Sequence, residues 1–106
     1  LGLPDSKQLH TLLELLINGE AVNALKIINE LYNSGIQSNA ILESILKYAN
    51  KIAKILLEQD FTTESKEITD LAKKTTISNI TTLWKIAYQS IEELKFTNNS
   101  ILLLPE

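Results

Sequence analysis

Apolar residues recur at three-and-four spacing almost from one end of this chain to the other, and that period leaves room for little besides α-helix. Asp5 stands as a good N-cap, followed by Leu9, Leu12, Leu13, Leu16 and Ile17 on one face. Gly19 takes the position just past the helix end, where a left-handed backbone costs glycine least. A second run starts at Glu20. Ala21, Ala24, Leu25, Ile28, Leu31 and Tyr32 share a stripe, while Asn23, Lys26, Asn29 and Glu30 fall largely off it. Gly35 ends that helix in the same way. Two helices joined by a tight glycine turn predict an antiparallel hairpin.

Ser38 is expected to cap a third helix, with Asn39 as an alternative start. Ile41, Ile45, Tyr48, Ile52, Ile55 and Leu56 form one stripe, and Leu42, Leu46, Ala49, Ala53 and Leu57 a second beside it. Together they exceed the apolar face of an ordinary surface helix, so this helix belongs in the middle of a bundle or against a partner. It is expected to end near Glu58. Residues 59–64 read as a loop, and 65–74 as a short helix with Ile68, Leu71 and Ala72 as its only apolar contacts. Thr75, Thr76 and Ser78 restart the chain. Ile80, Leu83, Trp84, Ala87, Ile91 and Leu94 then mark a helix over 79–94. Thr97, Asn98, Asn99 and Ser100 read as a turn and cap, with a truncated last helix starting at Ile101. Residues 77–80 are too short for a strand and have no partner. The predicted fold is all-α: a single compact bundle of about five helices plus the truncated one.

The length of 106 residues suits one domain. Hydrophobic residues at 44 % and charged residues at 22 % match a globular domain, and with aromatics at 6 % its core must be aliphatic. The chain has no Cys, which excludes a disulfide framework, thiol chemistry and Cys-ligated zinc. One histidine, His10, makes no His-rich metal site. Gly2, Gly19 and Gly35 are too scattered for a phosphate-binding loop. The net charge is −3 and every basic residue is lysine, so the charge balance makes no case for nucleic-acid binding. No apolar stretch reaches the ~18 residues that a membrane span needs. Leu1 is not an ordinary start residue, and with the Pro105-Glu106 ending it makes the chain an expected fragment of a longer one.

The constellations that carry chemistry elsewhere are weak here. His10 has Glu14 one turn on, but no nucleophile accompanies them. The acidic cluster between Glu58 and Asp70 spans a loop and a weak helix, without the apolar walls that separate carboxyl pKa values. Lys47, Lys51 and Lys54 make a basic stripe with no arginine, which reads as a wet helix face rather than a phosphate contact. Trp84 and Tyr88, one turn apart, read as core packing. Asn79-Ile80-Thr81 and Asn98-Asn99-Ser100 match the glycosylation pattern, as chance allows in an Asn-, Ser- and Thr-rich chain.

The apolar surplus is more informative. Leu15, Ile27, Ile86, Tyr88 and the second stripe of the third helix lie beside or off the main faces. A contiguous patch of such residues marks a protein–protein interface. The interface candidates are Leu15, Ile27, Leu42, Leu46, Ala49, Ala53, Ile86, Tyr88 and Phe96. No catalytic, metal-binding or cofactor-binding residue is assigned.

Order and spacing of the segments resemble domain III of the bacterial DNA polymerase III gamma/tau subunit, the collar or oligomerisation domain of the clamp loader. Leu1-Gly2-Leu3-Pro4-Asp5 looks like that family's Leu-Gly-x-x-Asp entry. Leu12-Leu13-Glu14-Leu15-Leu16-Ile17-Asn18-Gly19-Glu20 looks like its leucine-rich helix ending in Gly-Asp, with Glu20 for the acid. Ala24-Leu25 and residues 30–35 match its second helix and turn. Ile91-Glu92-Glu93-Leu94-Lys95-Phe96-Thr97-Asn98-Asn99 matches its Glu-Leu-Lys-Tyr-Ser-x-Asn-Pro segment. Phe96 replaces the usual Tyr, Asn99 stands where Pro is common, and the family's late Arg is absent.

The resemblance covers essentially the whole chain and implies an architectural role. The intact subunit would carry a P-loop ATPase and a lid domain upstream, with ATP and Mg bound there and no cofactor in residues 1–106. This domain would hold gamma/tau copies together with delta and delta-prime subunits in a ring, so that the ATPase domains load the sliding clamp during replication. In some bacteria the domain also docks a small accessory subunit. The implied location is cytoplasmic, with no direct DNA binding, no membrane and no enzymatic activity of the fragment itself. The alternative from another class is a free-standing helical adaptor that binds a partner helix or peptide.

Overall fold

A computed structural model describes the backbone of residues 4–103 and the side chains of residues 4–96. Five helices follow one another: α1 (Ser6–Ile17), α2 (Ala21–Asn33), α3 (Ser38–Glu58), α4 (Lys66–Lys73) and α5 (Ile77–Leu103). No strand occurs among the described residues. The all-α bundle is the fold that the periodicity predicts.

The glycine stops work through backbone geometry. Gly19 has φ +77° and Gly35 φ +99°. Glu20 N–H donates to the Leu15 carbonyl at 2.9 Å and Gly19 N–H to Leu16 at 3.2 Å. Ile36 and Gly35 repeat the pattern on Leu31 and Tyr32, at 3.1 and 3.0 Å. Each pair satisfies carbonyls that the helix end would leave open. At α3 the same left-handed position is filled by Gln59, φ 55°, with Asp60 N–H on the Ile55 carbonyl at 3.3 Å.

The N-termini depart from the expected caps. Asp5 occupies the cap position of α1, yet its side chain makes no capping bond. Gln37, not Ser38, precedes α3, again without a side-chain bond. Ser65 does cap α4, its Oγ accepting from Ile68 N–H at 3.4 Å. Thr76 starts α5 with Oγ1 accepting from Asn79 N–H at 3.2 Å, which places the helix start two residues before the expected one.

α3 is the centre of the bundle. Its Ile41, Ile45, Ala49, Ile52 and Ile55 are buried, and it packs on every other helix, most extensively on α5. α1 contributes Leu9, Leu12 and Leu13, α4 contributes Ile68, Leu71 and Ala72, and α5 contributes Ile80, Ala87 and Ile91. Burying a leucine such as Leu12, which is fully covered, is worth ~1.5–3 kcal/mol. Alanines at 24, 49, 72 and 87 are each at most 2 % exposed, and small side chains let helix axes approach.

Three further sequence expectations change. Residues 97–100 form no turn: α5 runs through them to Leu103. Neither Gly nor Pro interrupts that stretch, and the modest propensity cost of Thr, Asn and Ser, at most ~0.7 kcal/mol each, does not end a helix already nucleated. Ala49 belongs to the core, at 0 % exposure, because α3 is surrounded by helices and needs a face wider than one stripe. On α2 the buried side runs through Ala24 and Leu31 with Ile27 and Ile28 beside them, so Leu25 and Tyr32 turn outward. Leu1, Gly2, Leu3 and residues 104–106 lie outside the described residues.

Candidate interaction surface

Among the described residues no group of His, Asp and Glu side chains has the arrangement of a metal site. His10 is half-buried on α1, and Glu14 turns from it to Lys74, whose ammonium donates to Glu14 Oε2 at 2.6 Å. That bond and charge hold the Glu14 carboxyl below the ordinary glutamate range and Lys74 above the ordinary lysine range. In the loop before α4, the Thr62 hydroxyl and backbone N–H donate to Asp60 Oδ1 at 2.6 and 3.0 Å and lower its pKa. The basic stripe of α3 is partly engaged: Lys51 lies 3.7 Å from Glu64 and 5.2 Å from the Tyr48 ring centre.

Three open grooves score the surface of the described residues, one of them, of about 510 Å³, beside Pro4, Gln37 and Lys47, and two between packed helices. One, of about 540 Å³, lies between α1, α3 and α4, lined by Lys7, His10, Leu13, Tyr48, Ser65 and Ile68 among others. The other, of about 460 Å³, lies between α2, α3 and α5, with Ile28, Ile41, Leu42, Ile45, Glu93 and Leu94 in its lining. Neither groups a nucleophile with a base in catalytic geometry.

The apolar surface is where the sequence candidates divide. Ile86, Tyr88 and Phe96 are exposed on α5, Phe96 by 74 %. Leu15, Ile27, Leu42, Leu46 and Ala53 are half-buried and pack on the core, so only their edges reach solvent. Ala49 does not reach the surface. The structure adds Val22, Leu25 and Tyr32 on α2 and Ile77 at the start of α5, and it exposes Leu57, the last residue of the second α3 stripe. Val22 stands outside the predicted α2 stripe. Leu25 and Tyr32 are within it, and they face outward because α1 and α3 cover the other side of α2. Tyr88 stacks on Trp84 with ring centres 5.3 Å apart and planes 3° from parallel.

An all-helical fold with apolar rows left open, and no catalytic set, is the background for the comparison with known families. The family described as DNA polymerase III subunits gamma and tau domain III matches residues 1–104. The chain belongs to that family. No curated protein and no solved structure matches it. As a gamma/tau domain III, the chain has a clamp-loader role in DNA replication in general terms, and its family assembles in clamp-loader complexes. No described helix of this domain III is long and apolar enough to cross a membrane.

Proposed function

We propose that this domain III is the collar of a replication clamp loader. It holds gamma/tau copies with delta and delta-prime subunits in a ring, in the cytoplasm, and keeps the ATPase domains of the intact subunit in register. ATP and Mg act in those upstream domains, and residues 1–106 contribute packing surface and no catalysis. A small accessory subunit is a further candidate partner. The observation that carries the reading is the set of apolar side chains exposed on α2 and α5 among the described residues, Val22, Leu25, Tyr32, Ile86 and Phe96. A ring needs a face that meets a different face of the next subunit, and rows on two separate helices supply that.

The test is light scattering coupled to size exclusion, run on the chain alone and on mixtures with purified delta and delta-prime subunits. Co-elution in a defined stoichiometry supports the collar. A chain that neither self-associates nor joins either subunit ends it. The groove between α2, α3 and α5 favours the second reading, an adaptor for a partner helix, whose signature is a chain that stays monomeric and ignores both subunits yet binds an isolated amphipathic helix.

A further inference from the structure

Asn18-Gly19 is the only Asn-Gly pair in the sequence, and the fold places it in the turn between α1 and α2 with both residues exposed. The side-chain amide of an asparagine is open to attack by the backbone nitrogen of the next residue. The resulting five-membered ring closes most readily before glycine, which has no Cβ to crowd the nitrogen. We propose that Asn18 is a site of spontaneous, one-way modification whose rate is set by opening of the α1–α2 turn. The Gly19 nitrogen gives up its proton and bonds to Asn18 Cγ, and the side-chain nitrogen takes up a proton and leaves as ammonia. Water then opens the cyclic imide at either of its two carbonyl carbons, giving an aspartate linked through its α- or its β-carboxyl group. Nothing is oxidised or reduced, and water is the only co-reactant.

The folded turn withholds this reaction in two ways. Asn18 has ψ −3°. At that angle the Gly19 nitrogen eclipses the backbone nitrogen of Asn18, whereas ring closure needs it in line with Cβ, which the tetrahedral Cα places ~120° of rotation away. The Gly19 N–H is also committed to the Leu16 carbonyl at 3.2 Å, and the Glu20 N–H to Leu15 at 2.9 Å. Turning ψ carries the Gly19 nitrogen away from Leu16, so the bonds that end α1 open first. Solvent access adds no barrier, since a Cβ built on Gly19 would meet nothing within 4 Å. The product then works against the turn. A carboxylate at position 18 stands at the C-terminal end of α1, where the helix dipole disfavours negative charge, one turn beyond Glu14 and two residues before Glu20. The β-linked form also inserts a methylene into the backbone next to Gly19 and its φ of +77°. Conversion therefore weakens the turn that restrained it, and no reverse step restores the amide.

This site stands apart from the collar reading and is tested on the 106-residue chain. Peptide mapping by mass spectrometry follows the mass gain of exchanging NH for O during incubation in mildly alkaline buffer, with and without unfolding urea. In urea, residue 18 is expected to convert ahead of every other asparagine. In the folded chain it is expected to convert at least ~10-fold more slowly, because only the opened turn reacts. Asn18→Gln, at an exposed position, is expected to abolish the fast conversion. Gly19→Ala is expected to slow it severalfold in urea, where the strain of a φ of +77° no longer counts. Asn18→Asp reproduces the α-linked product and is expected to lower the folded-to-unfolded ratio by about 2- to 5-fold in a urea titration. Equal rates in the folded and unfolded chain overturn the control by the turn. Faster conversion at another asparagine, or a gain that persists in the Gln variant, overturns the site. An unmoved urea midpoint for Asn18→Asp overturns the weakening of the turn by its product.

Discussion

Lys74 and Glu14 meet at 2.6 Å although sixty residues of sequence separate them. The pair ties α1 to the end of α4, where Lys74 follows the last turn of the short helix. Both side chains remain partly in water, 49 % and 35 % exposed, so the contact sets a pH response more than it anchors the fold.

The signs follow from the two shifts. Glu14 titrates below its unfolded value, so its contribution is present above about pH 4.3 and is lost as pH falls through the folded value. Lys74 titrates above its unfolded value, so its contribution is present below about pH 10.4 and is lost as pH rises through the folded value. Thermal melts from pH 3 to 11 are expected to show Glu14→Gln with a shallower acid arm than the wild type. Superimposable acid arms would remove the pair from the pH response.

Gln59 ends α3 at φ 55°, a left-handed conformation that a residue with a Cβ adopts at a cost of ~1–2 kcal/mol. Glycine avoids that cost and loses somewhat more chain entropy on folding. Gln59→Gly is therefore expected to stabilise the domain by roughly 0.5–1 kcal/mol, even though it removes the exposed Gln59 Nε2 bond to the Leu56 carbonyl. Urea denaturation measures this directly, and a lower midpoint for the variant would show that the αL strain is not what sets the balance.

Much of the fold was legible because its determinants are local. The glycine stops at 19 and 35, the start of α4 near Ser65 and the end of α3 at Glu58 each depend on a few neighbouring residues. What was not legible depends on which surfaces meet. Leu25 and Tyr32 lie next to Ala24 and Leu31 on the α2 surface, and nothing in the sequence orders those four by burial until α1 and α3 are in place. Ala49 read as part of a second stripe because periodicity gives the direction of a face and not its width. The break expected at residues 97–100 failed for a different reason: Asn and Ser favour turns, but without Gly or Pro that preference loses to helix propagation. Among the interface candidates, those on α5 are exposed because that helix packs chiefly on α3, which leaves its far side open.

Trp84 presents a smaller puzzle. Its indole Nε1 is buried and finds no acceptor, while its ring lies flat on Tyr88. A buried donor left without a partner costs ~1–3 kcal/mol, whereas a stacked aromatic pair returns ~0.5–1.5 kcal/mol. Trp84→Phe keeps an aromatic face toward Tyr88 and removes the orphan N–H, at the expense of some ring volume. The two changes offset, and the variant is expected to lie within about 1 kcal/mol of the wild type. Trp84→Ala loses the packing as well and is expected to cost ~3–5 kcal/mol. Denaturant unfolding of both variants checks the order. A Phe variant as damaged as the Ala variant would mean that the indole nitrogen has an acceptor in solution.

Ala49 and Ala53 put the distinction between core and interface to a direct test. They sit one turn apart on α3, yet Ala49 is fully covered and Ala53 is only half-buried. Enlarging Ala49 to Leu pushes a larger side chain into a site already closed by neighbouring helices, at a cost of ~1–3 kcal/mol. Ala53→Leu adds the same atoms where one side is open, and is expected to cost less than about 1 kcal/mol. Self-association, normalised to the folded fraction, should not change in the Ala49 variant, because that position never reaches the surface of the folded chain. A selective loss of association with unchanged stability would put Ala49 back among the interface residues and would require α3 to part from a neighbouring helix when copies meet.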